Sequence, residues 1–287
     1  MKKKYAGETY TLSNGVKVPV IALGTALTDD GATAARCVME AVEVGYRSID
    51  TAEAYKNQKG IGEGIANCGL KREELYITSK VWNNNHGYEN TIKDFKNTLK
   101  DLQLDYIDQF LIHWPGPPES FIPTWKALET MYKDGLVRAI GVSNFKAHHL
   151  KTLMDNAEIM PMVDQLEHHP VFIPVEEIEF CRANGIQLEA WRPICWGVLD
   201  QYEIMHELAK KYEKSTTQIA LRWHLQRGIR PLPKTVRKSR MIENIDVFDF
   251  DMAQEEIDAI SALNTGVRQS GQDPDTFFLV EMPIITE

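Results

Sequence analysis

The sequence has few cysteines, and their spacing is not that of a metal site or a disulfide framework. Its four cysteines are Cys37, Cys68, Cys181 and Cys195. No two of them form a CxxC pair, so we expect reduced thiols in a cytoplasmic protein. The adjacent pairs His148-His149 and His168-His169 are poor chelates, because neighbours on a strand face opposite ways and neighbours on a helix diverge. We expect no metal.

Positive charge and long apolar runs are also scarce. The formal net charge is −9, which disfavours nucleic acid and anionic membranes as partners, because both attract accumulated Lys and Arg. The start, MKKKYAGETY, lacks the apolar run of a signal peptide, and no stretch approaches 18 consecutive apolar residues. We therefore expect a soluble protein in which any anion site is local.

No linker, charge block or low-complexity tract divides the chain, so we predict one domain over residues 1–287. Asn14-Gly15 lies between two short alternating segments, which predicts an N-terminal β-hairpin. Eight apolar, strand-like runs follow: VIALG, YRSID, LYITSK, YIDQFLIH, VRAIGVS, MVDQLE, IQLEAW and IRPLPK. Amphipathic stretches with a helical period lie between them, and several end in Gly.

Eight strand and helix repeats favour an α/β fold, a (β/α)8 TIM barrel whose end the hairpin closes. The alternative is a doubly wound open sheet. That fold carries GxGxxG after its first strand, and this sequence has no such motif there.

Four polar residues lie at or just after predicted strand ends: Asp50, Tyr55, Lys80 and His113. Taken singly, each residue has a structural explanation. Asp50 is explained as a helix cap and Tyr55 as a packing residue. Lys80 is explained as a solvated amine, and His113 as a core imidazole whose hydrogen bonds are satisfied. Together they favour a functional site, because barrels build their sites at the C-terminal ends of strands.

The chemistry of these groups assigns each a role in carbonyl reduction. Tyr55 is the predicted general acid, and a neighbouring cation can lower a phenol pKa by roughly one to three units. Lys80 is that cation, and Asp50 holds it. His113, expected neutral, donates a hydrogen bond to the carbonyl oxygen.

The segments GYRSIDTAEAY, DYIDQFLIHWP and VRAIGVSNF carry a resemblance to the aldo-keto reductases, collinear from residue 12 to about 277. The tail resembles the short-tailed bacterial members, similar to 2,5-diketo-gluconate reductase. The resemblance implies a cytoplasmic, NADPH-dependent reductase of aldehydes, ketones or oxo-sugars.

The resemblance also implies a cofactor site. Ser143, Asn144 and Gln165 would bind the nicotinamide carboxamide, and Trp191 would stack on the ring. Lys234, Thr235 and Arg240 would contact a 2′-phosphate, and Glu243 and Asn244 the adenine. The remaining cofactor-binding residues would be Gly24, Thr25, Asp50, Arg192 and Val236.

The residues themselves also favour an anion site, because KTVRKSR places four cations after strand eight of an acidic chain and before a short helix. We predict NADP over NAD. The alternative is an ordinary solvated cluster.

Three positions depart from the family pattern. Ala26 stands where relatives often have an aromatic residue, which predicts a wider pocket. WRPICWG replaces the usual loop, with Arg192 in place of a small hydroxyl and Cys195 in place of Gly. Arg192 would pair with the cofactor pyrophosphate or, alternatively, with a substrate carboxylate. The predicted substrate pocket is lined by Ala26, Trp82, Trp114 and Trp196.

Two other functions remain open. One is a noncatalytic member of the same fold that senses the cofactor or serves as a structural subunit. The other is a metal-dependent barrel hydrolase, which needs His and carboxylate ligands at several strand ends, where only His113 is found. We expect a small carbonyl substrate as partner and a monomer, with a dimer as the alternative.

Overall fold

The computed structural model describes residues 8–277. The basic start of the chain, on which the expected lack of a signal peptide depends, lies largely outside this range. In the described part no helix is both long and apolar enough to cross a membrane. All four cysteines lie within it, and none is paired.

The predicted hairpin is present at the start of the described chain. Strands β1 (Thr9–Thr11) and β2 (Lys17–Pro19) pair in antiparallel register around Asn14-Gly15. Gly15 has φ +86, a conformation that glycine adopts without a steric penalty. The hairpin lies against the barrel, since the Pro19 carbonyl accepts a hydrogen bond from Arg230 Nε at 2.6 Å.

Eight parallel strands follow and confirm the predicted α/β barrel. In chain order they are β3 (Leu23–Gly24), β4 (Ser48–Asp50), β5 (Tyr76–Val81), β6 (Ile107–Ile112), β7 (Val137–Ser143), β8 (Val163–Glu167), β9 (Gln187–Trp191) and β10 (Arg230–Pro231). Each pairs with its neighbour in sequence. Each of the eight predicted apolar runs overlaps one of these strands. Most strands are shorter than their runs, and β5 extends one residue beyond its run, to Val81.

The first and last strands of the sheet meet, which closes the barrel and excludes the open sheet. Gly24 forms a parallel bridge with Lys234, and its N–H donates to the Pro233 carbonyl at 3.0 Å. A Cβ at Gly24 would lie 2.9 Å from the Leu232 carbonyl oxygen. Glycine is therefore needed where the two strands approach most closely.

Ten α-helices cover the barrel and its ends: α1 (Ala32–Val44), α2 (Gln58–Asn67), α3 (Tyr88–Leu102), α4 (Pro118–Lys133), α5 (Ala147–Met154), α6 (Val175–Ala183), α7 (Glu203–Tyr212), α8 (Thr216–Gln226), α9 (Lys238–Ile245) and α10 (Gln254–Ser261), within residues 8–277. Helix α1 ends at Gly45, whose left-handed conformation directs its N–H to the Ala41 and Val42 carbonyls. Helix α8 begins with a capping box between Ser215 and Gln218. The sequence analysis predicts the first of these ends, from the glycine that follows the amphipathic stretch.

Candidate active site

The fold brings the four predicted catalytic side chains together at one end of the barrel. Asp50 is the last residue of β4, Lys80 is the penultimate residue of β5, and His113 directly follows β6. Tyr55 ends a short 3₁₀ helix, Glu53–Tyr55, which follows β4. Because neighbouring parallel strands end at the same rim, residues far apart in sequence share one site.

A buried ion pair lies at the centre of this group. Lys80 Nζ donates to Asp50 Oδ1 at 2.6 Å and to the Thr51 carbonyl at 3.0 Å. The Lys80 side chain is 0% exposed and that of Asp50 is 5% exposed. Lys80 Nζ lies 5.3 Å from the centroid of the Tyr55 ring, and that ring lies edge-on to His113 with centroids 5.6 Å apart.

Burial and pairing act in opposite directions on the charged pair. Burial alone lowers the pKa of Lys80, but Asp50, Tyr55 and Glu189 outweigh it and leave the pKa raised above 10.5. Burial raises the pKa of Asp50 above 3.8, and Lys80 opposes this rise. Lys80 is therefore an ammonium group at neutral pH, held by the carboxylate beside it.

The Tyr55 hydroxyl differs from the sequence prediction. Burial raises its pKa above 10.0, and the lowering by Lys80 is smaller. The predicted net lowering of the Tyr55 pKa is therefore wrong, because burial outweighs the effect of the Lys80 charge and Asp50 offsets part of that charge. The phenol is therefore fully protonated at neutral pH and can act as an acid.

His113 is neutral in the structure. Burial lowers its pKa well below 6.5, and the charges of Lys80 and His86 lower it further. Its Nδ1 makes no hydrogen bond within residues 8–277. A neutral imidazole keeps one N–H, which is the donor that the sequence analysis expects.

The residues expected to bind a carboxamide form one hydrogen-bonded group beside Asp50. Gln165 Nε2 donates to Asp50 Oδ2 at 2.9 Å, and Ser143 Oγ donates to the Gln165 carbonyl at 2.8 Å. Asn144, in the left-handed region at φ +64, donates from Nδ2 to the His113 carbonyl at 3.0 Å. Asn144 Oδ1 accepts from Trp191 Nε1 at 2.9 Å, which fixes the indole at the site.

The predicted phosphate site lies where β10 leads into α9. Helix α9 begins after Arg237, and no side chain caps its first turn. Lys238 pairs with Glu43 at 2.6 Å. Within residues 8–277 no ion pair is found for Lys234, which is half-buried, or for Arg240, which is exposed.

The other cofactor residues lie nearby. Thr25 Oγ1 donates to the Asp50 carbonyl at 2.9 Å, which joins the end of β3 to the tetrad. Val236 is half-buried, Asn244 is buried in α9, and Glu243 accepts from Ser215 Oγ.

The aromatic pocket has a member that sequence reasoning missed. Trp82 and Trp114 are buried with Phe277, and Tyr55 packs against the same cluster. The Phe277 ring lies 4.2 Å from Trp114 and 6.2 Å from Trp82, between centroids. No local sequence pattern marks Phe277 as a residue of the pocket. Its place depends on how the tail folds back over the barrel.

The WRPICWG loop places Trp196 apart from this cluster. Trp196 is 58% exposed, and the Arg192 guanidinium carbon lies 3.8 Å from the centroid of its ring. Arg192, Cys195 and Trp196 all have positive φ, which is unfavourable for residues other than glycine. Arg192 is therefore stacked on Trp196 in this loop. Ala26, the remaining residue of the predicted pocket, lies half-buried after β3.

The tail that carries Phe277 is held by the start of α5. Lys146 Nζ lies 2.7 Å from both Asp273 Oδ1 and Asp275 Oδ2. His148 Nε2 and His149 Nε2 lie 3.0 and 3.2 Å from Asp275 Oδ1. The two imidazole centroids are 4.0 Å apart, so the expectation that these helical neighbours diverge is wrong.

His148, His149 and Asp275 are the only group of three metal-capable side chains found in the described part. The Lys146 backbone N–H donates to His149 Nδ1 at 3.2 Å. This places the imidazole proton of neutral His149 on Nε2, the atom that faces Asp275, so its lone pair is not free for a metal. The group serves as an anchor for the tail.

Comparisons with known proteins agree with this geometry. The model of the aldo/keto reductase family matches residues 20–265. The chain is 50% identical to glyoxal reductase of Bacillus subtilis over 268 residues, which is 93% of this chain and 96% of the relative. It is 41% identical to methylglyoxal reductase DkgA of Escherichia coli K12 over 93% of this chain and 96% of the relative.

Two solved structures show the same fold. An aldo-keto reductase from a Medee basin deep-sea metagenome library superposes with a TM-score of 0.90 at 41% identity, over 94% of this chain and 99% of the other. A Bombyx mori aldo-keto reductase solved with NADP gives a TM-score of 0.84 at 34% identity, over 91% and 94%. The chain therefore belongs to the aldo/keto reductase family, and it is an oxidoreductase that reduces carbonyl groups.

Proposed function

We propose that this protein reduces small dicarbonyl compounds with NADPH, in preference to NADH, and that Tyr55 supplies the proton. The observation that carries the proposal is the buried Lys80–Asp50 pair at 2.6 Å beside a protonated Tyr55 and a neutral His113. These groups lie beside the buried aromatic cluster of Trp82, Trp114 and Phe277. Such a site can stabilise charge on a carbonyl oxygen as it forms.

Each side chain has one task in the reaction. A bound nicotinamide supplies the hydride that reaches the carbonyl carbon. His113 donates a hydrogen bond that orients the carbonyl oxygen, and Tyr55 gives that oxygen its proton. Lys80 then stabilises the tyrosinate, and Asp50 keeps Lys80 charged and in place.

The residues present suit a phosphorylated dinucleotide. Gln165, Ser143 and Asn144 offer amide and hydroxyl groups to a carboxamide, and Trp191 offers an aromatic face. Lys234, Thr235 and Arg240 lie at the uncapped start of α9, where a 2′-phosphate would find cations and backbone N–H groups. NADH lacks that phosphate, so this cluster favours NADPH.

The proposed substrate class rests on the relatives and on the pocket. Relatives with 50% and 41% identity are named as reductases of glyoxal and methylglyoxal. In this chain Phe277 packs on Trp114, and Tyr55 packs against the same cluster, so the surroundings of the phenol are apolar and suit small aldehydes. We assign methylglyoxal as the test substrate.

Two further points complete the proposal. The first is a monomeric state, which we propose because the four catalytic side chains meet within a single chain. The four unpaired cysteines support a cytoplasmic location, where thiols remain reduced. The noncatalytic alternative differs in its outcome, because it predicts NADPH binding without turnover.

The decisive experiment follows NADPH oxidation by methylglyoxal in the presence of a chelator. We expect saturable turnover, and Tyr55→Phe should lower kcat by a factor of about 10² or more while NADPH binding persists. Tyr132→Phe is the matched control, because the Tyr132 hydroxyl contacts Asn14 of the hairpin and lies outside the site. Equal turnover by wild type and Tyr55→Phe would refute the role of the phenol.

A second experiment tests cofactor choice. Arg240→Ala should raise the Kd for NADPH by about 10-fold or more and leave that for NADH unchanged, because a charge-assisted phosphate contact is lost. Lys238→Ala is the matched control from the same helix, since Lys238 already pairs with Glu43. A similar change for both cofactors in Arg240→Ala would contradict a 2′-phosphate contact.

A further inference from the structure

A second buried ion pair lies inside the barrel beneath the catalytic residues. Arg230 Nη1 donates to Glu189 Oε1 at 2.6 Å, and both side chains are 0% exposed. Glu189 belongs to β9 and Arg230 to β10. Sequence reasoning assigns no role to either, and the pair does not reach the mouth of the barrel.

Gln165 connects this pair to the tetrad. Its Nε2 donates to Glu189 Oε2 at 2.9 Å and to Asp50 Oδ2 at 2.9 Å. A primary amide has two N–H groups, so the two carboxylates account for both. Turning the amide over would set its oxygen against two anions. The orientation of the Gln165 amide is therefore fixed, and Oε1 remains as the acceptor for a ligand.

Glu189 is itself held on several sides. Gln109 Nε2 lies 3.1 Å from both oxygens of the Glu189 carboxylate, and Tyr76 donates its hydroxyl hydrogen to Gln109 Oε1. Arg230 is fixed in turn through Nη2 to Ser48 Oγ and through Nε to the Pro19 carbonyl. A carboxylate with this many partners has one rotamer, so it can fix the group that donates to it.

We propose that Glu189, held by Arg230, is a positioning residue for the nicotinamide carboxamide and acts through Gln165. Glu189 and Asp50 together hold Gln165 Oε1 towards the mouth, where it accepts an N–H from the carboxamide. The inference rests on the proposed NADPH-dependent function. It adds that the precision of cofactor placement is set below the site, by residues that do not touch the cofactor.

The test separates positioning from stability by changing the ligand. The charge-neutral double variant Glu189→Leu/Arg230→Met removes the lower acceptor of Gln165 without leaving a buried charge unpaired. Dissociation constants are measured for NADPH, for its reduced 3-acetylpyridine analogue, which has no amide N–H, and for 2′-phospho-ADP-ribose, which has no nicotinamide. Wild type should prefer NADPH over the acetyl analogue by about three- to tenfold, the range expected for one hydrogen bond.

In the double variant this preference should fall by about threefold or more towards equality, while the Kd for 2′-phospho-ADP-ribose stays unchanged. Glu189→Asp is the second variant, because it keeps the charge balance with Arg230 but withdraws the carboxylate from Gln165, and it should show the same loss. Tyr76→Phe is the matched control, because it perturbs Gln109 and leaves Gln165 alone, so it should keep the wild-type preference.

Three results would overturn the inference. The first is a wild type that binds NADPH and the acetyl analogue with equal Kd. The second is that the variants fold and keep the wild-type preference for NADPH over the acetyl analogue. The third is that the variants lose affinity for NADPH and for 2′-phospho-ADP-ribose by the same factor. A wild type that does not bind NADPH would overturn the proposed function as well. The two failures are therefore distinguishable by the wild-type titration alone.

Discussion

Breaking the Lys80–Asp50 pair should cost far more stability than breaking a surface pair of the same length. Lys80 Nζ and Asp50 Oδ1 are 2.6 Å apart, and the side chains are 0% and 5% exposed. Removing one partner of such a pair leaves an uncompensated buried charge. We therefore expect Asp50→Asn and Lys80→Met each to lower the free energy of unfolding by about 3–5 kcal/mol.

The double variant Asp50→Asn/Lys80→Met should recover part of this loss, because neither charge is then left alone. We expect it to be at least about 2 kcal/mol more stable than the sum of the single effects predicts. The control cycle uses Lys133 and Glu158, whose N and O atoms are also 2.6 Å apart but whose side chains are 48% and 68% exposed. That pair should show no resolvable coupling, because water screens it.

The assay is urea denaturation of all variants at pH 7 and one salt concentration, with a common slope m as the check on the denatured state. Single effects that add to within about 0.5 kcal/mol at the buried pair would refute the reasoning. Equal coupling in the buried and surface cycles would refute it too, since burial would then contribute nothing.

Three further predictions concern the pocket, the acid and a buried carboxyl. Phe277→Ala should lower kcat/KM for phenylglyoxal relative to methylglyoxal by about two- to tenfold, through loss of an aromatic contact; an unchanged ratio would place Phe277 outside the pocket. Because the pKa of Tyr55 is raised above 10.0, the phenol remains protonated up to about pH 9. We therefore expect that Tyr55 causes no loss of kcat/KM for reduction at any pH below about 9. A loss of kcat/KM in that pH range that depends on Tyr55 would contradict this prediction. Burial, with Glu53 adding to it, raises the pKa of Asp94 from 3.8 to about 7, so the folded state binds the proton more tightly and stability falls as pH rises from about 4 to about 7. Asp94→Asn should remove that fall, and parallel pH–stability curves for wild type and variant would disprove it.

The elements of the fold could be predicted because their signals are local. Each of the eight apolar runs overlaps a strand, and Asn14-Gly15 and Gly45 mark a turn and a helix end by their own conformational freedom. The tetrad could be predicted for a related reason. Asp50, Lys80 and His113 lie near strand ends, and parallel strands that end at one rim bring such residues together whatever separates them in sequence.

The remaining features depend on burial and on distant contacts, which no local pattern encodes. The pKa of Tyr55 was expected to be lowered by Lys80, yet burial and the compensating Asp50 reverse the direction. His148 and His149 converge because Asp275 from the tail lies against both. No period or motif predicts where that tail returns.

The sequence by itself predicted the barrel, the four polar residues that meet at its rim, and the cationic cluster around the start of α9, because hydrophobic periodicity and residue chemistry are properties of short segments. Only the tertiary structure decided that Phe277 lies over Trp114 and that Glu189 and Arg230 lie beneath Gln165. The physical reason is that burial, hydrogen-bond partners and charge compensation are set by groups 24 or more residues apart in the sequence, which meet only when the barrel closes.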